Sequence, residues 1–232
     1  MVFVESLESP RLDGRDRHHL ERVLRRRRGD ALVICDGRGR WCRAWLDAEP
    51  EPSGPVFVVA RPAPSLAVGF ALIKGDRPEL VIQKLTELDI DVVAPFVARH
   101  SVVRWDDAKS ARQVERHELV AREAAMQCRR TWLPTVEAVR PFGEVIAAAL
   151  GAPAGAAPAS AASDGERAVA IADMGGDPVD SEIRMVLVGP EGGWSDDERG
   201  CGARRVRLGA NVLRAETAAI TAGVILGMVH GR

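Results

Sequence analysis

Two stretches near the carboxyl end concentrate residue types that can hold a ligand and act on it. In Met185-Val-Leu-Val-Gly-Pro-Glu-Gly-Gly-Trp-Ser-Asp-Asp-Glu198 an apolar run enters Gly189-Pro-Glu-Gly-Gly193, and Ser195 with Glu198 has the spacing of a helix capping box. Glycine at 189, 192 and 193 lets the main chain turn tightly and come close to a bound molecule. The loop is neither GxGxxG nor a P-loop, since no Lys-Ser/Thr follows, and as a pattern alone it suits a plain connector equally well. In the second stretch Val206-Arg-Leu208 passes through Gly209-Ala-Asn211 into Val212-Leu-Arg-Ala-Glu-Thr-Ala-Ala219. Arg214, Glu216 and Thr217 stand there among small apolar residues. A guanidinium stabilises developing negative charge and a carboxylate accepts a proton; the same residues also serve as a helix cap with a local ion pair.

Loops of this kind act together only if strands bring them to one end of a sheet. Beyond Arg61-Pro-Ala-Pro-Ser65, whose prolines suit a linker, strands and helices alternate. Strands are expected at 68–73, 90–97, 168–171, 185–188 and 205–208. Helices are expected after the capping-box pair Asp76/Glu79, over 107–129, and from about 216 to 229. This alternation implies a parallel sheet with helices on both faces, and ligands bind outside the carboxyl ends of such strands. The first sixty residues read as mostly β, with Asp36-Gly37 as a hairpin turn and one short helix over 18–27. A small barrel with a helix is the simplest assembly. The Ala/Gly/Pro/Ser-rich stretch 147–165 reads as a mobile loop.

The chain has 232 residues, 46% hydrophobic and 28% charged, with a net charge of −1, enough for one large domain or two modest ones. No run of eighteen apolar residues exists and the first residues do not form a secretory signal, so a cytoplasmic protein is expected. Four cysteines at 35, 42, 128 and 201 lack metal-ligand spacing, so neither a metal nor a disulfide framework is expected. Near-neutrality argues against a polyanionic partner, but it is a cancellation. Residues 141–200 hold three basic and eleven acidic residues, whereas 1–46 hold eleven basic and seven acidic. Only Lys74, Lys84 and Lys109 are lysines; the other basic residues are arginines, the better side chain for phosphate and for stacking on bases.

Gly189-Pro-Glu-Gly-Gly193, Leu208-Gly209 and Leu213-Arg-Ala-Glu-Thr-Ala218 together resemble the C-terminal signature of the SPOUT-superfamily 16S rRNA (uracil-N3)-methyltransferases, the RsmE family. Further stretches fit in order: His18-His-Leu-Glu-Arg-Val-Leu24 with Gly29-Asp30, Gln83-Lys-Leu-Thr-Glu-Leu88, and Arg122-Glu-Ala-Ala-Met-Gln127 with Arg129 and Pro134. The chain departs from the pattern at Asp89, where glycine is usual, at Met126 for Glu, at Ala210-Asn211, and at Ala215 for Thr.

The resemblance implies a PUA-like RNA-binding β-barrel over residues 1–66 and a SPOUT α/β domain over 67–232 whose C-terminal segment threads a trefoil knot. It implies a homodimer that binds S-adenosyl-L-methionine and acts on 16S rRNA in the small ribosomal subunit. Cofactor contacts carry over to Leu187, Gly189, Glu191, Gly193, Leu208, Leu213 and Thr217, and catalytic roles to Arg214 and Glu216. Arg22 and Arg25, Arg26, Arg27 and Arg28 are expected to hold rRNA phosphates. Trp132, beside Arg129 and Arg130, suits either base stacking or a subunit interface. Ribose 2′-O-methylation on the same fold and a non-catalytic RNA-binding module are the competing readings.

Overall fold

The computed structural model describes residues 1–103, 105, 107–151 and 168–232. The chain divides into two compact units, one of residues 1–62 with 122–133 and one of residues 63–121 with 134–232.

The first unit is a five-stranded sheet of β1 (Val2–Phe3), β2 (Ala31–Cys35), β3 (Arg40–Trp45), β4 (Glu51–Pro52) and β5 (Phe57–Val58). The order is β1-β2-β3-β4, with β5 also on β3; β1 runs parallel to β2 and the other pairs are antiparallel. The hairpin forms at Asp36-Gly37, where the Asp36 carboxylate accepts from the backbone of Arg38 at 2.7 Å and Arg40 at 3.1 Å. Val4, Leu7, Leu20, Ile34, Cys42 and Ala44 form the core. Arg122 forks onto buried Asp16 at 2.9 and 2.7 Å and also donates to the Phe3 carbonyl. The helix expected over 18–27 lies earlier: α1 (Gly14–His18) starts at Asp13, whose side chain accepts from the Asp16 amide, and runs into one π-helical turn, His19–Val23. Arg25 then adopts a left-handed φ of 52°, which ends the helical path before the arginine run.

The second unit holds β6 (Ala67–Ala71), α2 (Arg77–Glu87), β7 (Val92–Val97) and α3 (Asp107–Cys128), whose residues up to Ala121 belong here. It continues with β8 (Thr135–Val136), β9 (Arg140–Pro141), α4 (Phe142–Ala149), β10 (Ala168–Pro178), β11 (Ile183–Val188), α5 (Asp196–Arg199), β12 (Arg204–Arg207) and α6 (Ala215–Val229). The strand order is β12-β10-β11-β6-β7-β8, with β9 also on β7, and every pair is parallel. Helices cover both faces. Val186 and Val188 of β11 pack with α2 and α6, while Met185 and Leu187 pack with Phe96, α4 and Trp194 on the other side. That period-two alternation makes the central strands apolar throughout. Gly223 lets α6 approach Leu85 closely, since a Cβ there would stand 2.7 Å from the leucine.

Of three local expectations, two are revised and one holds. Asp76 makes no side-chain cap bond; Glu79 instead receives Arg116 in a two-pronged ion pair at 3.0 and 2.9 Å. The Ser195/Glu198 capping box does form, and the other oxygen of Glu198 accepts from the Arg99 amide at 2.8 Å. Residues 142–149 are helical, and 152–165 of the low-complexity stretch lie outside the described residues. Asp89, where the related pattern has glycine, has φ 60°, the left-handed conformation that glycine adopts without strain. Arg232 spans that turn, donating to the Asp89 carbonyl at 2.8 Å and to buried Asp91 at 2.7 Å, and Asp91 in turn accepts from the Leu66 amide.

His117 of α3 is buried, and its Nε2 has no hydrogen-bond partner among the described residues. Burial holds its imidazole below the usual value, with Glu79 opposing that shift and Arg116 reinforcing it. The unfolded chain takes up this proton near pH ~6.5, while the folded chain takes it up only at a lower pH. Stability from this group is therefore complete above that pH and falls as the pH drops below it, by up to about 1.4 kcal/mol per unit. Denaturant melts from pH 7.5 to 5 should show a shallower acid loss for His117→Leu than for the parent chain; identical slopes would rule the contribution out.

Candidate active site

Three neighbouring strands deliver their loops to one end of the second unit. β11 ends at Val188 and passes into Gly189-Pro-Glu-Gly-Gly193. β10 carries an irregularity: Ala172 and Asp177 both register with Val206 of β12, so residues 173–176 loop out between them. Residues 208–213 follow β12 and lead into α6. The centre of the assembly is Trp194. Its indole N–H donates to the Ala172 carbonyl at 2.8 Å, and its ring lies 5.1 Å from Phe142 and 6.0 Å from Phe96 between centroids. The ring fills the space over Gly189, where a Cβ would stand 2.8 Å from it. His100 Nδ1 meets the Gly193 carbonyl at 3.1 Å, and Gly193 takes a positive φ of 73°.

These loops enclose a cavity of about 270 Å³, near the lower limit of roughly 300 Å³ for small-molecule sites. Gly189, Glu191, Gly193, Leu208 and Leu213 all line it, as do Ala215 and Ala218 of α6. Leu208 and Leu213 also rest on the core, so they form an apolar wall. Glu191 is exposed and makes no ion pair among the described residues. Leu187 is not among the residues that line the cavity; strand alternation turns its side chain to the opposite face, where Gly69 leaves it room. Thr217 also points away from the cavity and is exposed.

Arg214 and Glu216 flank the cavity without lining it. Arg214 is the exposed N-cap residue of α6, its guanidinium free of any ion pair among the described residues. Glu216 is half-buried against Arg77 at 3.3 Å, and its Oε2 is buried with no hydrogen-bond partner among the described residues. The sequence reading missed Trp194, Asp173, Met174 and Arg199, all of which line the cavity. Asp173 pairs with Arg199 at 3.4 Å across the opening of the β10 loop. Trp194 lay within the motif, next to Gly193, but nothing in the pattern shows that its ring folds back over Gly189. The four-residue excursion of β10 leaves no sequence signal.

In the first unit, Arg22, Arg25, Arg26, Arg27 and Arg28 are all exposed. Arg28 is held by Asp47, whose carboxyl this pairing depresses below its usual range, and Arg26 lies 3.9 Å from Asp30. Arg22, Arg25 and Arg27 make no ion pair among the described residues, leaving three cations for an anionic partner. Trp132 is part of the unit's own fabric: its indole N–H donates to the Val59 carbonyl at 3.0 Å, with Arg61 over the ring.

A family model described as an RNA methyltransferase domain matches residues 61–227, which contain all three cavity loops. The chain belongs to the RNA methyltransferase family. A second model, an RNA methyltransferase PUA domain, matches residues 12–46. The chain is 32% identical over 230 residues to the ribosomal RNA small subunit methyltransferase E of Mycobacterium bovis, covering 95% of this chain and 87% of that one. A crystal structure of a probable rRNA-methyltransferase from Porphyromonas gingivalis superposes with a TM-score of 0.75 at 26% identity, over 99% of this chain and 98% of that one. The ribosomal RNA small subunit methyltransferase E of Neisseria gonorrhoeae, solved with S-adenosyl methionine, gives a TM-score of 0.75 at 22% identity over 96% and 94% of the two chains. No helix among the described residues of this RNA methyltransferase is long and apolar enough to cross a membrane.

The contact between Gly189 and Trp194 generates a test. Gly189→Ala forces the buried indole aside and should cost about 1–3 kcal/mol of unfolding free energy in urea melts. In a Trp194→Phe background, which removes the ring atoms that clash, the same substitution should cost markedly less. Equal costs in both backgrounds would show that the loop relaxes away from the ring.

Proposed function

We propose that this methyltransferase moves a methyl group from S-adenosyl-L-methionine to N3 of a uridine in 16S rRNA of the small ribosomal subunit. The carrying observation is the cavity between the excursion of β10 and the carboxyl ends of β11 and β12, walled on two sides by the loops that the family signature comprises. Its features fit that cofactor: apolar walls at Leu208 and Leu213, main chain without side chains at Gly189 and Gly193, and an exposed carboxylate at Glu191 to face a cation. Thr217 and Leu187 act behind this lining, Leu187 by supporting β11 from the other core. When bound, the cofactor supplies an electrophilic methyl on a sulfonium, and in-line transfer to N3 makes positioning the protein's main task.

Uracil N3 carries a proton and attacks only as that proton leaves. Arg214 is always charged and cannot be the base. Projecting from the N-terminus of α6, one residue before Ala215 of the cavity wall, it stabilises the negative charge that develops on the base. Glu216 was the carboxylate expected to take the proton, and its Arg77 pairing adds a second role, fixing the first turn of α6 and so the direction of Arg214. N3 lies on the Watson–Crick edge, so the uridine must be unpaired before reaction.

The remaining family features belong to the same reading. Residues 1–66 act as a PUA-like barrel that positions rRNA, with Arg22, Arg25, Arg26, Arg27 and Arg28 on its phosphates. Residues 67–232 form the SPOUT domain with its C-terminal trefoil knot, supported by the return of β12 to the far side of β10. A homodimer is supported by α6, which leaves Val224 and Met228 exposed along one side at 38% and 75%. The protein works in the cytoplasm, where its rRNA is made.

Mass spectrometry of rRNA nucleosides from cells lacking the protein should show loss of 3-methyluridine alone. An unchanged profile, or loss of a ribose-methylated nucleoside instead, would overturn the reading. In the purified enzyme Arg214→Ala should lower turnover roughly 100-fold or more, with S-adenosylmethionine affinity held within a few-fold. A collapse of cofactor affinity would make Arg214 a pocket residue.

A further inference from the structure

The first unit carries a second feature that the arginine run does not explain. Along β3 the residues alternate strictly: Cys42 and Ala44 are buried in the core, whereas Trp41, Arg43 and Trp45 stand on the opposite face. An antiparallel strand with one face in the core is expected to place polar residues on the other. Here that face holds two indoles with a guanidinium between them. Trp45 is 50% exposed and Arg43 is exposed, and neither makes a ring contact or ion pair among the described residues. Trp41 stacks on Phe57 of β5 at 4.5 Å between centroids, 21° from parallel, so one of its faces is already backed by an aromatic ring. Ala31 and Val33 of β2 register beside Trp45 and Arg43, keeping the neighbouring row low and open.

This face borders a cavity of about 750 Å³, whose other walls include Leu24, Arg26 and Arg129. Its described lining contains three arginines and no carboxylate. Arg129, held at a left-handed φ of 61°, makes no ion pair among the described residues, and the Asp30 carboxylate lies 3.9 Å from Arg26. Exposed indoles cost solvation, and the three guanidiniums of the lining outnumber the carboxylates beside it, Asp30 near Arg26 and Glu51 in register with Trp45. Both features are relieved by one kind of ligand, an anionic chain bearing flat apolar rings.

We infer that the outer face of β3 is a stacking platform for single-stranded RNA. One base lies on Trp45, a second on or beside the Trp41–Phe57 pair, and the intervening phosphate meets Arg43. Four residue steps along the strand separate the two indoles by roughly 13 Å, too far for a single base to bridge, so at least two nucleotides are engaged. Stacking of this type tolerates sequence and depends on ring area, whereas the guanidinium contact depends on salt. The inference rests on the reading of an RNA substrate and adds to it the place where flanking single strand is held. A protein segment on this face is the competing occupant, and it predicts no effect on RNA.

The test uses the full chain and a fluorescein-labelled oligouridylate of twelve nucleotides, followed by anisotropy at several salt concentrations. Trp45→Ala should weaken binding by roughly 5- to 150-fold, the loss of one base stack, without changing the salt dependence. Trp45→Phe, which keeps a ring, should recover most of the affinity, and this variant guards against a folding artefact. Arg43→Gln should weaken binding and lower the salt slope by about one. Equal binding by Trp45→Ala and the parent chain, or no binding of the oligomer by the parent chain, would overturn the platform. S-adenosylmethionine affinity and rRNA methylation by the parent chain, measured alongside, separate that outcome from failure of the methyltransferase reading.

Discussion

The hydrogen bond from the Trp194 indole to the Ala172 carbonyl is the contact on which the active-site end depends. A strand carbonyl left without a partner costs up to roughly 1–3 kcal/mol when it is buried, and the Ala172 carbonyl is partly so. Here the donor comes from the very loop that must be held. The same ring packs against Phe96 and Phe142 below and rests over Gly189 above. One side chain therefore locks the loop after β11 to β10 where its excursion begins, and both to the core. Because the indole occupies the volume above residue 189, only glycine fits there, and the chain turns back at Gly193. The cavity is what remains once the ring is seated.

The parallel sheet supplies the rest. Adjacent parallel strands end at the same side, so β10, β11 and β12 present three loops to one space. Their alternation decides which neighbours reach it: Val188 lines the cavity, and Leu187, one residue earlier, lies in the opposite core. On α6 the helical period does the same, placing Ala215 and Ala218 on the wall while Glu216 turns to Arg77 and Arg214 projects outward. Small residues on that helix keep the cavity open, so Ala215 in place of the usual threonine removes a hydroxyl from the wall itself.

Much of this was legible in the amino-acid sequence, and the limits have physical causes. Period-two and period-3.6 patterns located most strands and helices, and the Ser195/Glu198 spacing identified a capping box that forms. The Asp76/Glu79 spacing was equally good, yet Arg116 from a distant segment captured Glu79, a tertiary competitor that local pattern does not contain. The resemblance points to Leu187 as a cofactor contact, and a motif does not record which face of a strand a side chain takes; that side chain packs in the opposite core. The β10 excursion and the placement of the Trp194 ring depend on packing between segments far apart in the chain. On the first unit, four consecutive arginines stand out in the sequence, whereas the alternation Trp41, Arg43, Trp45 does not. That pattern becomes informative only once Cys42 and Ala44 are seen to face inward.

The central claim is that residues 189–193 and 208–213 together form the S-adenosylmethionine site. Backbone hydrogen exchange, followed by mass spectrometry with and without S-adenosylmethionine, tests it most directly. The account predicts slowed exchange in peptides covering those two loops and the first turn of α6, with no change across β2 and β3. Cofactor binding that leaves both loops unprotected, or that protects β2 and β3 instead, would contradict it.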